Sequence, residues 1–71
     1  MPPFVRLIHK TLLDGRYHIY TSPDVQGFHV AMETIAEAKR EAIAVLDVLA
    51  KLDGAEKPDF TFIDSVHQAA A

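Results

Sequence analysis

The first third of the chain has the hydrophobic pattern of a β-hairpin. The segments FVRLIHKTLL, residues 4–13, and RYHIYTS, residues 16–22, both mix β-branched, aromatic and polar residues. Asp14 and Gly15 stand between them, and Asp-Gly favours a type I′ turn because both central residues of that turn need positive φ. A two-residue loop places Thr11 opposite His18 and His9 opposite Tyr20.

The two faces of this hairpin differ in their side chains. One face carries Val5, Leu7, His9, Leu13 and His18, and the other carries Ile8, Leu12, Tyr17 and Ile19. We expect the second set to face the core because it is the more apolar. The apolar residues of the first set then remain on a face that is not cleanly polar, which indicates a surface covered by another chain.

A loop and a further strand follow the hairpin. Pro23 donates no ladder hydrogen bond, Asp24 can bond the backbone beyond it, and Gly27 supplies conformations barred to other residues. Residues 28–32 resume as a third strand.

The best-marked element is a helix over residues 35–53. The Thr34 hydroxyl can accept from the Glu37 amide while the Glu37 side chain reaches back to the Thr34 amide, which is a capping box. Gly54 predicts the helix stop. Apolar residues recur at helical spacing, namely Ile35, Ala38, Ala42, Val45, Leu46, Leu49 and Leu52, whereas Ala36, Ala44 and Ala50 are interpreted as helix formers.

The segment DFTFID, residues 59–64, alternates as a short strand would. The predicted order is therefore β-β-β-α-β. A helix laid across one face of a mostly antiparallel sheet satisfies this order, which predicts an α+β domain.

Length and composition narrow the function. A chain of 71 residues forms one domain at most, and without cysteines its small core lacks disulfide support, so we expect a homo-oligomer, a dimer or tetramer. The 49% apolar content agrees with a covered face.

A net charge of −3 disfavours direct nucleic-acid binding. No signal peptide or membrane-spanning segment is recognised, so we expect a cytoplasmic protein that does not bind membranes.

Several residues together resemble the amino-terminal domain of the HicB-like antitoxins and small families related to it. The matching residues are Asp14, Gly15, Tyr20, Pro23, Asp24, Gly27, Thr34, Glu37, Ala38, Glu41 and Ala42. The chain departs from the family at Gln26, where a second proline is usual, and at Met32, where glycine is usual.

The resemblance implies a degenerate ribonuclease H-like fold that has lost activity and covers a small ribonuclease toxin. It places a partner-contact loop at Pro23, Asp24, Gly27 and Phe28. The residues SVHQAAA after Asp64 are too few for the family's DNA-binding domain, so residues 1–71 are expected to be one HicB-like domain whose residues 65–71 form a flexible tail, with no DNA-binding domain and no operator binding.

Catalytic and metal-binding alternatives have weaker signals. A ribonuclease H-type metal pair needs converging carboxylates, and turn geometry already explains Asp14 and Asp24. His9, His18 and His29 match no recognised metal motif, so no cofactor is expected. The sequence favours a non-catalytic, self-associating, antitoxin-like binding module. Two alternatives stay open, an interaction domain with an unrelated partner and a minimal metal-dependent nuclease.

Overall fold

The computed structural model describes residues 2–64, which form one helix packed on a four-stranded sheet. The elements in chain order are β1 (Phe4–Leu12), β2 (Tyr17–Thr21), β3 (His29–Met32), α1 (Ile35–Leu52) and β4 (Asp59–Asp64). The strands lie in the order β3-β2-β1-β4. The α+β class and the element order are confirmed. The sheet is mixed, because β4 pairs with β1 in parallel while the other two pairs are antiparallel.

The hairpin has the predicted turn and register. Thr11 pairs with His18 and His9 with Tyr20. The Arg16 amide donates to the Leu13 carbonyl across 3.2 Å, and φ is 57° at Asp14 and 86° at Gly15. Positive φ at both central residues is what the type I′ turn requires. Asp14 and Gly15 therefore have the structural role predicted for them.

The sheet packs on α1 through the opposite face from the one expected. Residues that pair across strands share a face, and the face toward α1 includes Val5, Leu7 and His9 of β1 with Tyr20 of β2 and Val30 of β3. The prediction that Ile8, Leu12, Tyr17 and Ile19 face the core is wrong. The reason is that the outer strands add Val30, Met32, Phe60 and Phe62 to the histidine-bearing face.

Both ends of α1 have identifiable caps. Thr34 is the N-cap, and its hydroxyl oxygen accepts from the Glu37 amide at 3.1 Å. The Glu37 carboxylate accepts from the Thr34 hydroxyl at 2.9 Å, a different contact from the predicted one to the Thr34 amide. Gly54 has φ of 68°, and the bonds from Gly54 to Lys51 and from Ala55 to Ala50 make a Schellman motif, so the predicted stop is confirmed.

The line of α1 that meets the sheet consists of three alanines and one leucine. Ala38, Ala42, Leu46 and Ala50 recur every fourth residue and are buried, because alanines allow the helix backbone to approach the sheet closely. The interpretation of Ala50 as only a helix former is therefore wrong. Ile35 and Leu52, two members of the predicted stripe, are exposed.

Two other expectations concern the rest of the chain. The predicted tail at residues 65–71 lies outside the described residues. Within residues 2–64, no helix combines the length and the hydropathy that crossing a membrane requires.

Candidate functional site

The predicted contact loop is anchored to the start of β1 by Arg6 and Asp24. The Arg6 guanidinium donates from Nε to Asp24 Oδ2 at 3.0 Å and from Nη2 to Oδ1 at 2.9 Å, and the Arg6 amide donates to Oδ2 at 2.8 Å. If the register of β1 and β2 continued, Arg6 would lie opposite Pro23, which has no amide hydrogen. The pairing of β2 with β1 ends before this position, and the Asp24 carboxylate accepts the hydrogen bond from the Arg6 amide instead.

This pairing also governs the ionisation of both side chains. Hydrogen bonds from the Arg6 side chain and backbone lower the pKa of Asp24 to about 2. The same hydrogen bond and the negative charge of Asp24 raise the pKa of Arg6. Asp24 is therefore a carboxylate at neutral pH, and its oxygens are occupied within the chain.

The rest of the loop is a tight turn with a buried base. The Phe28 amide donates to the Val25 carbonyl at 3.2 Å, and Gly27 has φ of 79°. With positive φ at its third residue alone, this is a type II turn. Val25 and Phe28 are buried in the core, whereas Gln26 and Gly27 are exposed.

The structure therefore separates the four predicted contact residues. Pro23 and Gly27 are exposed, Asp24 is held by Arg6, and Phe28 packs in the core. Their proposed contact with a partner stays a prediction. The residue that the sequence reading missed is Arg6, since its partner lies 18 positions further along the chain.

An apolar groove lies between this loop and the second half of α1. Its larger part, of about 360 Å³, is lined by Pro2, by the loop residues Asp24, Val25 and Gln26, and by Leu49, Leu52 and Asp53 at the helix end. A smaller hollow of about 170 Å³ adjoins it at Leu49 and is lined further by Glu41, Ala44, Val45 and Val48. We call these two hollows the helix groove. Val48 is 53% exposed and Leu52 79%, so two large apolar side chains at the groove face solvent.

The sheet surface turned away from α1, which we call the open face, is mixed in character, because apolar side chains alternate on it with Arg6, Lys10, Asp59, Thr61 and His29. Its apolar side chains are Phe4, Ile8, Leu12, Tyr17, Ile19 and Ile63, placed by their pairing and alternation. Phe4 and Leu12 are each 53% exposed and Tyr17 is 40% exposed, whereas Ile19 is buried by its neighbours in the middle of the sheet. No described element covers this face.

His9 and His18 meet on the helix-facing side of the sheet. His9 Nε2 lies 3.0 Å from His18 Nδ1, with ring centroids 5.2 Å apart and ring planes within 11°. This geometry sets the rings edge to edge, near one plane, so that the two nitrogens point at each other. A hydrogen bond between them holds one proton, because one nitrogen must donate and the other accept.

Two further polar side chains adjoin the histidine pair. His9 Nδ1 lies 3.5 Å from Asp64 Oδ1, and the Tyr20 ring lies 5.3 Å from that of His9. Burial, followed by the negative charge of Asp64, raises the pKa of Tyr20. The parallel pairing of β4 with β1 brings Asp64 beside His9. The hairpin register predicted the His9–His18 proximity, whereas Asp64 could not be placed before the pairing of β4 was known.

The candidate metal ligands do not come together in the described part of the chain. His29 pairs with Thr21 on the open face, away from His9 and His18. Asp14 lies at the hairpin turn and Asp24 beside Arg6, toward opposite ends of β1. Among residues 2–64, no group of three or more histidine and acidic side chains is arranged to hold a metal ion.

Comparison of the chain with protein-family models, curated proteins and solved structures gives no match. Its surfaces and side-chain clusters are therefore the observations on which a function can be argued.

Proposed function

We propose that this protein is a non-catalytic binding module that self-associates through the open face and has a HicB-like antitoxin role. The observation that carries the proposal is the open face, on which Phe4, Leu12 and Tyr17 are exposed beside Ile8 and Ile63. A sheet in a small domain is expected to bury one face and solvate the other. Exposed large apolar side chains on the second face, beside the polar Arg6 and Lys10, support a second surface packing against it.

The dimensions of the open face suit association of two copies. Four strands about 4.8 Å apart, the longest having 9 residues, present a surface of at most roughly 20 by 30 Å. This area is of the same order as the ~800 Å² per partner that a standard interface buries. Association would also supply stability that a 71-residue chain without cysteines lacks.

A toxin-covering role is the finer part of the proposal. It is supported by the resemblance of the segment from the hairpin to the helix, in which the spacing between Pro23-Asp24, Gly27 and Thr34 is that of the family. The positions of Asp14 and Asp24 toward opposite ends of β1 support a non-catalytic role, since ribonuclease H chemistry needs carboxylates that converge on metal ions.

The self-association is tested by light scattering over a dilution series of the wild-type chain and of Leu12→Lys. Lysine at this half-exposed position places a charge in the proposed interface, and we expect the mass to fall from an oligomer to a monomer. Leu52→Lys, an identical change on the helix groove, is the matched control and should keep the wild-type mass. A monomeric wild type, or an unchanged mass for Leu12→Lys, would reject the open face as the interface.

The antitoxin role needs a separate experiment. Each small basic protein encoded beside this chain is expressed alone and with it in a bacterial host. Growth arrest by the neighbour that is relieved by the chain is the expected result. A chain that never relieves arrest and never co-purifies with such a neighbour would leave an interaction domain with an unrelated partner as the better description.

A further inference from the structure

The histidine pair on the helix-facing side of the sheet has the arrangement of two ligands for one small cation. His9 Nε2 and His18 Nδ1 face each other across 3.0 Å, and the two ring planes lie within 11° of each other. Two imidazole nitrogens that bind one ion in a trigonal site lie about 3.5 Å apart, because each bond from metal to nitrogen is about 2 Å long. The rings therefore need to separate by about 0.5 Å and to tilt toward the ion.

The outer nitrogen of His9 lies beside a carboxylate. His9 Nδ1 is 3.5 Å from Asp64 Oδ1, because β4 pairs with β1 in parallel and places Asp64 opposite His9. A metal-binding histidine commonly donates its second N–H to a carboxylate, which fixes the tautomer and makes the other nitrogen a better ligand. In this tautomer the proton is on Nδ1 of His9, and the lone pair of Nε2 points toward His18.

A thioether side chain lies on the strand next to His18. Met32 of β3 is the direct cross-strand partner of His18, so it shares the helix-facing side of the sheet with both histidines. The Cβ atoms of such partners are about 4.5–5.5 Å apart, and the three rotatable bonds of a methionine side chain allow its sulfur to reach the histidine pair. Met32 is half-buried, so its sulfur has room to turn.

These three donors select a soft ion of low coordination number. Imidazole and thioether ligands together favour Cu(I), a closed-shell ion that is stable with two or three ligands. A Zn²⁺ site usually has four ligands from histidine, cysteine or carboxylate side chains, and within residues 2–64 no three such side chains are arranged to hold a metal ion. Asp64 lies beyond the outer nitrogen of His9, where it orients the ring.

We propose that His9 Nε2, His18 Nδ1 and Met32 Sδ form a binding site for one Cu(I) ion. The ion replaces the proton between the two facing nitrogens. When both rings are neutral, His9 keeps its N–H at Nδ1 and His18 keeps its N–H at Nε2, so no proton is released. The site joins β1, β2 and β3 on the side of the sheet that faces α1, and it is independent of the open face.

The proposal is tested by titrating the full chain with Ag(I), which shares the charge and ligand preference of Cu(I) and needs no reductant. Nuclear magnetic resonance in chloride-free solution follows the histidine rings and the methionine methyl groups. We expect saturation at one ion per chain, with shifts at His9, His18 and Met32 and none at His29 on the open face. Saturation without shifts at His9 and His18, or equally tight binding of Zn²⁺, would overturn the proposal.

A competition experiment connects the Ag(I) probe to Cu(I). Cu(I) kept reduced under nitrogen should displace Ag(I) from the wild-type chain and shift the same three side chains. Binding of Ag(I) that Cu(I) does not displace would reject the assignment of the ion.

Variants of the chain locate the ligands. His18→Leu should abolish saturable Ag(I) binding, and Asp64→Asn, which keeps all three ligands, should weaken it about tenfold. Met32→Leu, a change of similar volume, should also weaken binding. His29→Leu is the matched control and should bind like the wild type. Unchanged affinity in His18→Leu would reject the site, and unchanged affinity in Met32→Leu would reject the thioether ligand and with it the preference for Cu(I).

Folding of the same variants is measured by circular dichroism. His18 and Met32 are half-buried, whereas His9 is buried, so the first two positions are the safer sites for substitution. An ion that binds only the folded chain raises its melting temperature. We expect saturating Ag(I) to raise the melting temperature of the wild type and of His29→Leu and to leave that of His18→Leu unchanged. An unchanged melting temperature of the wild type would contradict the site.

Discussion

Arg6 and Asp24 form a two-pronged ion pair that joins the first strand to the loop after the second. Both guanidinium contacts are 3.0 Å or shorter, and the Arg6 amide adds a third bond to the same carboxylate. The turn that contains Gln26 and Gly27 is thereby held on a fixed base.

The pH dependence of stability should report this ion pair. The folded-state pKa of Asp24, about 2, lies below its ordinary value of 3.8. The ionised Asp24 therefore stabilises the folded state above about pH 4, and this stabilisation is lost as the pH falls toward 2. Urea midpoints of wild type and Asp24→Asn should differ at pH 7 and converge near pH 2. Asp47→Asn is the control, because its contact with Lys51 is exposed and spans only one helical turn. A constant difference across this range would contradict the assignment.

The hydrogen bond between His9 and His18 should appear as an energetic coupling. Removing either ring leaves a polar nitrogen of the other without this bond, which costs about 1–3 kcal/mol where the nitrogen is buried. A double-mutant cycle with His9→Leu and His18→Leu should give a coupling of about 0.5–3 kcal/mol in the free energy of unfolding. His29→Leu, on the exposed open face, should change stability by less than about 0.5 kcal/mol. Additive single effects would show that the pair is not coupled.

The turn at Gly27 should discriminate between two substitutions. An added Cβ meets no atom within 4 Å, so only the backbone conformation, with φ of 79°, opposes a side chain. Gly27→Val should lower the free energy of unfolding by about 1–3 kcal/mol, since β-branched residues rarely adopt positive φ. Gly27→Asn should cost clearly less, because asparagine tolerates this region. Equal melting temperatures for Gly27→Val and wild type would refute the predicted strain.

The N-cap of α1 gives a local test. Thr34→Ala removes the acceptor for the Glu37 amide and the donor to the Glu37 carboxylate, and it should cost about 1 kcal/mol in the free energy of unfolding. Thr34→Ser keeps the hydroxyl and should remain close to wild type. Chemical denaturation followed by circular dichroism measures both. Equal losses for alanine and serine would indicate that the hydroxyl does not stabilise the helix.

The sequence predicted the features that depend on neighbouring residues. Asp14-Gly15 determines the turn, Thr34 and Glu37 lie three positions apart at the helix start, and Gly54 ends the helix. Each feature depends on backbone conformations or hydrogen bonds within a few residues. Hairpin register follows from the turn, so the proximity of His9 and His18 could be predicted as well.

The choice of the buried sheet face required contacts between distant segments. Within the hairpin alone, the sheet face that carries Ile8 and Ile19 is the more apolar of the two. On the opposite face, however, Val30 pairs with Tyr20 and Phe62 pairs with Leu7. The total apolar area over all four strands decides which face meets α1, and that sum depends on strand pairings that no local pattern contains.

The candidate surfaces depend on the same long-range packing. Leu52 has the helical spacing of a core residue, yet it is 79% exposed because the sheet contacts the line from Ala38 to Ala50 instead. Arg6 and Asp24 meet only because β2 stops beside the start of β1. Local chemistry thus specifies turns, caps and register, whereas the burial of each apolar face follows from how the helix and all four strands share one core.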